Sequence, residues 1–204
     1  MSIPITHRPT RHEVRRKLLD AATQAFRKYG YIRTSLTQIA DSAGFTKGAI
    51  YSNFESKPEL FSAVCVENIS RLSAPVLAQL DVIFADGPHE PEALDEIVDS
   101  FTRIVTDFAP WQIALSEFRQ LAIHDPVISG SYGMLLNDRI DQAMRLLEGH
   151  QVINRLGEQR TRDAVLTIFE LISLLTMERA AAPCVLTDER TRAILRSVLK
   201  GISA

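Results

Sequence analysis

The fold is decided by residues 36–54, which read Leu36-Thr37-Gln38-Ile39-Ala40-Asp41-Ser42-Ala43-Gly44-Phe45-Thr46-Lys47-Gly48-Ala49-Ile50-Tyr51-Ser52-Asn53-Phe54. Ser35, with Gln38 three residues later, forms a capping-box pattern that predicts the start of a short helix. Gly44 can adopt the positive φ of a sharp turn, and Thr46 is a suitable N-cap for a second short helix. Two short capped helices that meet at a glycine turn are typical of a helix-turn-helix.

The second of these helices contains two residues that local helix stability would not favour. Lys47 places a positive charge at the positive end of the helix dipole, and Gly48 costs about 1 kcal/mol of helix propensity relative to alanine. Both residues suit a phosphodiester, because Lys47 can pair with a phosphate and Gly48 allows close backbone approach. We therefore expect a helix that enters the major groove of double-stranded DNA. The expected contacts are Thr34, Ser35, Thr37, Thr46, Lys47, Gly48, Ala49, Tyr51, Ser52, Asn53 and Lys57.

Charge is distributed unevenly along the chain, whose formal net charge is -2. Residues 1–60 carry a net charge of +5, so the remaining residues carry -7. A basic N-terminal segment favours contact with a polyanion. The alternative is ordinary solvated surface charge.

The rest of the chain shows helical periodicity and no period-2 alternation. We predict an all-α protein of about nine helices, with expected ranges of about 12–29, 35–43, 47–53, 57–84, 91–110, 111–124, 126–155, 158–182 and 187–204. Gly30 is expected to stop the first helix, and Pro75 to interrupt or kink the fourth. The expected organisation is a basic arm (1–11), a DNA-binding domain (12–60) and a helical domain for ligand binding and dimerisation (61–204).

Composition excludes several classes of protein. The hydrophobic content of 46% and charged content of 24% are ordinary for a globular protein, which argues against disorder. The two cysteines, Cys65 and Cys184, form no CxxC pair, and His124 and His150 lack metal-ligand spacing. We therefore expect no metal, no cofactor and no disulfide framework. Without a signal-like or spanning segment, a cytoplasmic protein that does not enter the membrane is expected.

At residues 36–54, and at Ser56-Lys57-Pro58-Glu59-Leu60 after them, the sequence resembles the DNA-binding domain of the tetracycline-repressor (TetR/AcrR) family of bacterial regulators. Upstream, residues 25–31 (Ala25-Phe26-Arg27-Lys28-Tyr29-Gly30-Tyr31) match the family pattern as well. The resemblance covers residues 12 to about 62. It implies a dimer that binds a pseudo-palindromic operator, usually as a repressor, and is released when a small apolar or amphipathic molecule enters the C-terminal domain.

A dimer is also expected because one helix-turn-helix makes few contacts, whereas two units set helical turns apart give palindromic specificity. Apolar stripes on the last two helices are the expected interface. The alternative is that both stripes pack inside one subunit. The stripe residues are Val165, Ile168, Ile172, Leu175, Ile194, Leu195, Val198, Leu199 and Ile202.

The central helices carry aromatic and methionine residues, as an apolar ligand cavity would require. Ordinary core packing would use the same residue types and is the alternative. The candidate cavity residues are Phe101, Ile104, Phe108, Trp111, Leu115, Phe118, Met134, Leu135, Met144 and Phe169.

The helix that begins at Lys57 is the only predicted element that belongs to both domains, so it is expected to couple them. An enzyme is disfavoured, because the sequence contains no Walker loop, GxGxxG, G-x-S-x-G or HExxH motif. Two other classes stay open: a helical interaction module whose helix-turn-helix is purely structural, and a regulator that needs no ligand.

Overall fold

A computed structural model describes residues 9–84 and 91–203, without the side chains of residues 71–75, 77–84, 91–93 and 203. Most of the expected basic arm therefore lies outside the described residues, and so do residues 85–90, between the helices expected at 57–84 and 91–110. In these ranges the protein is all-α, which confirms the predicted fold class. The helices are α1 (Arg11–Arg33), α2 (Leu36–Ala43), α3 (Lys47–Tyr51), α4 (Lys57–Phe84), α5 (Pro91–Asp107), α6 (Ala109–His124), α7 (Pro126–Leu147), α8 (Gln151–Leu156), α9 (Glu158–Ala181) and α10 (Asp188–Ser203).

The described residues form ten helices, whereas the sequence predicted about nine, because the segment at 126–155 is divided. Gly149 has φ +84, a left-handed conformation that favours glycine and ends α7 before α8 begins. Pro75 does not interrupt α4, which continues past this residue to Phe84 as one helix.

Side-chain caps explain where the N-terminal helices begin. Thr10 and Glu13 form a complete capping box at the start of α1. Ser35 accepts a hydrogen bond from the backbone N–H of Gln38 at 3.1 Å, and Ser56 accepts one from that of Glu59 at 3.2 Å. The cap predicted at Ser35 is thus present, and Ser56 provides a cap of the same kind at the start of α4.

The first hydrophobic core joins α1–α4 to α6 and α7. Its centre is a group of aromatic rings in which Phe61 lies 4.9 Å from Phe26, 5.0 Å from Tyr31, 5.3 Å from Trp111 and 5.3 Å from Phe118, measured between ring centroids. Burial raises the pKa of Tyr31 to about 12. Since Trp111 and Phe118 belong to α6, this helix completes the core of the N-terminal helices.

A second hydrophobic core lies among α4, α5 and α7–α10. Its fully buried members include Ile97 of α5 and Leu195 of α10, both 0% exposed. Ion pairs from α10 to α5 lie beside it, between Arg192 and Asp99 at 2.9 Å and between Arg196 and Asp95. The C-terminal helices are therefore held mainly by apolar burial, since exposed ion pairs contribute little.

Gly30 interrupts α1 with φ +77 and ψ 179, a conformation that is nearly exclusive to glycine. Beyond this break, the backbone N–H of Ile32 donates to a carboxylate oxygen of Glu117 on α6 at 2.8 Å. A Cβ at position 30 would lie 2.6 Å from the same carboxylate. The break therefore brings α1 and α6 together at a point where a side chain does not fit.

We expect Gly30→Ala to lower the free energy of unfolding by at least about 2 kcal/mol, because it combines backbone strain with displacement of Glu117. Gly44→Ala is the matched control. Gly44 also has a positive φ of +75, but a Cβ added there would have no atom within 4 Å, so its cost should be about 1 kcal/mol. Urea denaturation followed by circular dichroism measures both, and equal losses would show that the contact with Glu117 adds nothing.

Candidate nucleic-acid interface and inner cavity

The turn between α2 and α3 is closed by Gly44, which has φ +75 and ψ 28. The N–H of Gly44 donates to the carbonyl of Asp41, and that of Phe45 donates to Ala40 at 2.9 Å, in the pattern of a Schellman motif. Ile39, Ala40 and Ile50 are fully buried beneath the turn. The position of α3 is therefore fixed by packing on one face, which leaves its other face to solvent.

The exposed face of α2 and α3 carries most of the predicted DNA-contacting residues. Tyr51 is 51% exposed, and the ammonium of Lys47 lies 5.7 Å from the centroid of its ring. The hydroxyl of Thr46 makes no capping hydrogen bond, although the sequence predicted one, so it is available for an outside partner. The predicted residues on this exposed face are Ser35, Thr37, Thr46, Lys47, Gly48, Tyr51 and Ser52.

Four of the predicted DNA-contacting residues are buried or half-buried and do not lie on this exposed face. Thr34 is 2% exposed, and its hydroxyl donates to the carbonyls of Gly30 at 2.6 Å and Ala25 at 3.2 Å. A side chain so enclosed serves the fold and does not reach a groove. Ala49 is half-buried, and Asn53 is half-buried with its amide donating to Ala49 at 2.8 Å.

Lys57 is the fourth, because its ammonium lies 4.4 Å from the centroid of Tyr31 and 3.4 Å from the carbonyl of Ile32. Burial lowers the pKa of Lys57, and the nearby carboxylate of Glu117 opposes this effect. The lysine thus lies at the contact between the N-terminal helices and α6. Lys57 is the first residue of α4, and nothing in the sequence around it indicated this packing.

Two arginines of α1 support the end of α3 and were not predicted to do so. Arg11 donates to the carbonyl of Ser52 at 3.4 Å, and Arg15 donates to that of Asn53 at 3.3 Å. The guanidinium of Arg15 also lies 4.4 Å from the centroid of Phe54. Cations at a helix C-terminus are favourable, so these arginines help to hold α3 in place while adding positive charge beside it.

An apolar cavity of about 180 Å³ lies among helices α4–α10. Six of the predicted cavity residues line it: Phe101, Ile104, Phe108, Trp111, Leu115 and Phe169. Lining residues that the sequence did not indicate include Cys65, Asn68, Gln112, Arg139 and Thr161. They are isolated polar or small residues in otherwise apolar stripes, a weak signal in a single sequence.

The other four predicted cavity residues do not line this cavity. Phe118 and Leu135 are buried in the first core, where Phe118 meets Tyr31 at 4.7 Å between centroids. Met134 is 63% exposed on the outer face of α7, and Met144 is buried outside the lining. Residue type correctly predicted burial of Phe118, Leu135 and Met144. It could not predict whether a buried side chain would line the cavity or lie elsewhere in the interior.

Seven of the nine predicted interface residues pack within the chain. Ile172, Leu175 and Leu195 are buried in the second core, and Val165, Ile168, Leu199 and Ile202 pack against it. Val198 is half-buried, whereas Ile194 is 37% exposed. Most residues of the two apolar stripes on the last two helices therefore pack inside the subunit, as the alternative interpretation predicted. Leu166 and Leu174 of α9, which the sequence did not indicate, are exposed instead.

Other predicted classes of site can be compared with the described residues. No cluster of three or more His, Cys, Asp or Glu in those ranges could hold a metal ion. Cys65 is buried, and burial raises the pKa of its thiol to about 12. No helix within those ranges has the length and apolar character needed to cross a membrane.

Comparison with known proteins is informative for the N-terminal helices. Residues 18–64 match the family model described as "Bacterial regulatory proteins, tetR family". The HTH-type transcriptional regulator TtgR of Pseudomonas putida is 48% identical over 52 residues, which are 26% of this chain and 25% of TtgR. The chain thus matches about a quarter of the length of such curated relatives.

Solved structures extend the likeness in fold to nearly the whole chain. A TetR-family regulator from Rhodococcus sp. has a TM-score of 0.66 at 17% identity, with 95% of this chain and 100% of that chain covered. The regulator FadR from Bacillus subtilis, solved in complex with stearoyl-CoA, has a TM-score of 0.55 at 19% identity, with 93% and 97% covered. These proteins, like TtgR, are described as transcriptional regulators. Residues 18–64, which contain the helix-turn-helix, thus resemble the tetR family of bacterial regulatory proteins in sequence, and the rest of the chain shares the fold of the solved structures.

Proposed function

We propose that this protein is a ligand-responsive transcriptional regulator that binds a pseudo-palindromic DNA operator as a homodimer in the bacterial cytoplasm. The observation that carries the proposal is the exposed face of α3, where Lys47 and Tyr51 project from a helix whose opposite face is fixed by Ile50. This face suits the major groove, whose width of about 12 Å admits a helix. Repression is the simplest outcome, because a dimer seated on an operator excludes other proteins from that DNA.

The roles within this face follow from chemistry. Lys47 and the hydroxyl of Thr46 would contact phosphates, which set the register of the protein on the duplex. Gly48 has no side chain to separate the backbone of α3 from the DNA, and Tyr51 offers both a ring and a hydroxyl. Arg11 and Arg15 add charge that attracts the duplex without sequence preference. Base reading is therefore expected mainly from α3 and from Thr37 of α2.

We expect Lys47→Ala and Tyr51→Ala each to weaken operator binding at least tenfold, since each removes a contact in both half-sites of a dimer. Lys47→Ala should also reduce the slope of log K against log salt by about 2, one unit for each lost phosphate contact. Fluorescence anisotropy with labelled operator at several salt concentrations measures both effects.

The matched control is Arg103→Ala, which removes one exposed positive charge from α5, far along the chain from the helix-turn-helix. It should leave operator affinity and salt slope within about twofold of the wild type. Wild-type binding by Lys47→Ala and Tyr51→Ala, with the fold intact by circular dichroism, would contradict the assignment of this face to DNA.

The homodimer is proposed to form through the exposed apolar residues of the last two long helices. Leu174 is 58% exposed, and Leu166 and Ile194 are exposed by 38% and 37%. We propose these side chains as the interface because most of the interface residues predicted from sequence pack within the subunit. Covering them in a second copy would remove apolar surface from water, the main driving force of association.

We expect Leu174→Glu to shift the protein from dimer to monomer, because the charge would have to be desolvated in the interface. Analytical ultracentrifugation at micromolar concentration measures the change. Ile123→Glu is the matched control, since Ile123 is 71% exposed on α6 and lies outside the proposed face. If the protein stays dimeric with Leu174→Glu but becomes monomeric with Ile123→Glu, the interface lies on α6 and not on the proposed face.

Signal transfer between the cavity and the helix-turn-helix is proposed to use α6 together with α4. The sequence indicated α4 alone for this role, but α6 also contacts both parts. Trp111 and Gln112 of α6 line the cavity, and one to two turns later Glu117 binds the backbone of Ile32 while Phe118 meets Tyr31. A ligand that displaces α6 would therefore move α1 and, through Arg11 and Arg15, the end of α3.

We expect Glu117→Ala to weaken operator binding at least fivefold although no DNA-facing residue changes, because the broken end of α1 loses its acceptor. This size corresponds to the lower end of usual allosteric couplings, about 1 kcal/mol. Gln120→Ala, at an exposed position of the same helix, is the control and should bind like the wild type. Unchanged affinity for Glu117→Ala would remove α6 from the proposed route.

A further inference from the structure

Arg139 of α7 lines the apolar cavity, although its residue type is charged. It is 7% exposed, and its Nη1 atom has no hydrogen-bond partner among the described residues. No ion pair joins it to a described carboxylate. Arginine stays protonated in proteins, so the cavity wall contains a positive charge without a counter-ion in the part of the chain that the structure describes.

The surroundings of Arg139 do not neutralise this charge. Its guanidinium lies 4.7 Å from the centroid of Phe169, a cation–π contact that recovers only part of the lost hydration. Glu170 is the nearby acid, but its carboxylate is bound to Arg119 at 3.0 Å. Cys65, also nearby, carries a neutral thiol because burial raises its pKa to about 12. Burial likewise lowers the pKa of Arg139, while its neighbours only partly oppose the effect.

An unpaired buried charge destabilises a folded protein, and apolar side chains of similar size usually replace buried ions without loss. A requirement of the fold alone would be met by methionine or leucine at position 139. The guanidinium is a planar fork that matches a carboxylate with two parallel hydrogen bonds. Its single positive charge balances one carboxylate and would leave a phosphate monoester partly unneutralised.

Apart from Arg139, few polar groups line the cavity, and two amides among them suit the same ligand. The Oε1 atom of Gln112 accepts from Ser173 at 2.9 Å, which leaves the NH2 of this amide to donate. Asn68 of α4 contributes a second amide to the lining. Most of the remaining wall is aromatic or aliphatic, with Phe101, Ile104 and Trp111 among its members.

We propose that Arg139 binds the carboxylate of the effector, which is an amphipathic monocarboxylic acid with an apolar body lying against the aromatic wall. This inference rests on the proposed function, because it names the ligand class of the regulator. The apolar body contributes affinity through burial, and the guanidinium selects the acid over neutral molecules of the same shape.

The test uses pairs of probes that share a carbon skeleton: 4-phenylbutanoate with 4-phenylbutan-1-ol, and octanoate with octan-1-ol. Isothermal titration calorimetry on the full chain, without DNA, measures each dissociation constant. We expect at least one acid to bind at least tenfold more tightly than its alcohol. Arg139→Met should reduce that ratio below twofold, whereas Arg139→Lys, which keeps the charge but not the fork, should give an intermediate ratio.

Arg103→Met is the matched control, because it removes an arginine outside the cavity and should retain the wild-type ratio. In the absence of any probe, Arg139→Met should raise the melting temperature by a few degrees, because an unpaired charge is removed. A lower melting temperature for this variant would assign Arg139 a structural role and overturn the proposal. Failure of both acids to exceed their alcohols in the wild type would overturn it as well.

Operator binding is measured separately by anisotropy, so the two proposals fail in different ways. Acid selectivity that depends on Arg139, in a protein that binds no DNA, supports the carboxylate site and contradicts the regulator. Operator binding by a protein that does not distinguish acids from alcohols contradicts the carboxylate site and leaves the regulator standing.

Discussion

The contact between the carboxylate of Glu117 and the broken end of α1 fixes how the two parts of this protein meet. Gly30 turns the chain so that the N–H of Ile32 points at α6, and no side chain would fit where the carboxylate lies. The aromatic rings of Tyr31, Phe61 and Phe118 then close over the same place. Since this core is shared, the N-terminal helices are not an independent unit attached by a linker.

The helix-turn-helix could be predicted from sequence because its determinants are local. A capping serine, a glycine with positive φ and apolar residues at spacings of three and four lie within one short segment, and each has one dominant structural meaning. The closure of this domain by α6 could not be predicted, since it depends on pairing residues 85 positions apart. Packing within the folded chain, which the sequence pattern does not show, also explains why Thr34 and Lys57 were predicted to contact DNA. Thr34 is enclosed by its packing against Gly30, and Lys57 is half-buried against Tyr31.

The C-terminal helices show where periodicity stops being informative. A stripe such as Ile168, Ile172 and Leu175 indicates a buried face, but a subunit core, a cavity wall and a dimer interface all require the same apolar pattern. In the structure Ile168 and Ile172 belong to the cavity wall, and Leu174 lies in solvent. Arg139 is the opposite case, because a charge within an amphipathic helix is usually read as a solvent-facing residue, and only its burial shows otherwise.

A buried charge in an apolar wall also bears on how long the molecule survives. Because such a charge carries an uncompensated cost, we expect the protein to open more often and to present more unfolded chain to proteases. Binding of a counter-charged molecule lowers that opening by mass action. The cellular amount of the protein would then rise with the supply of the proposed effector, which would couple turnover to signal without any additional component.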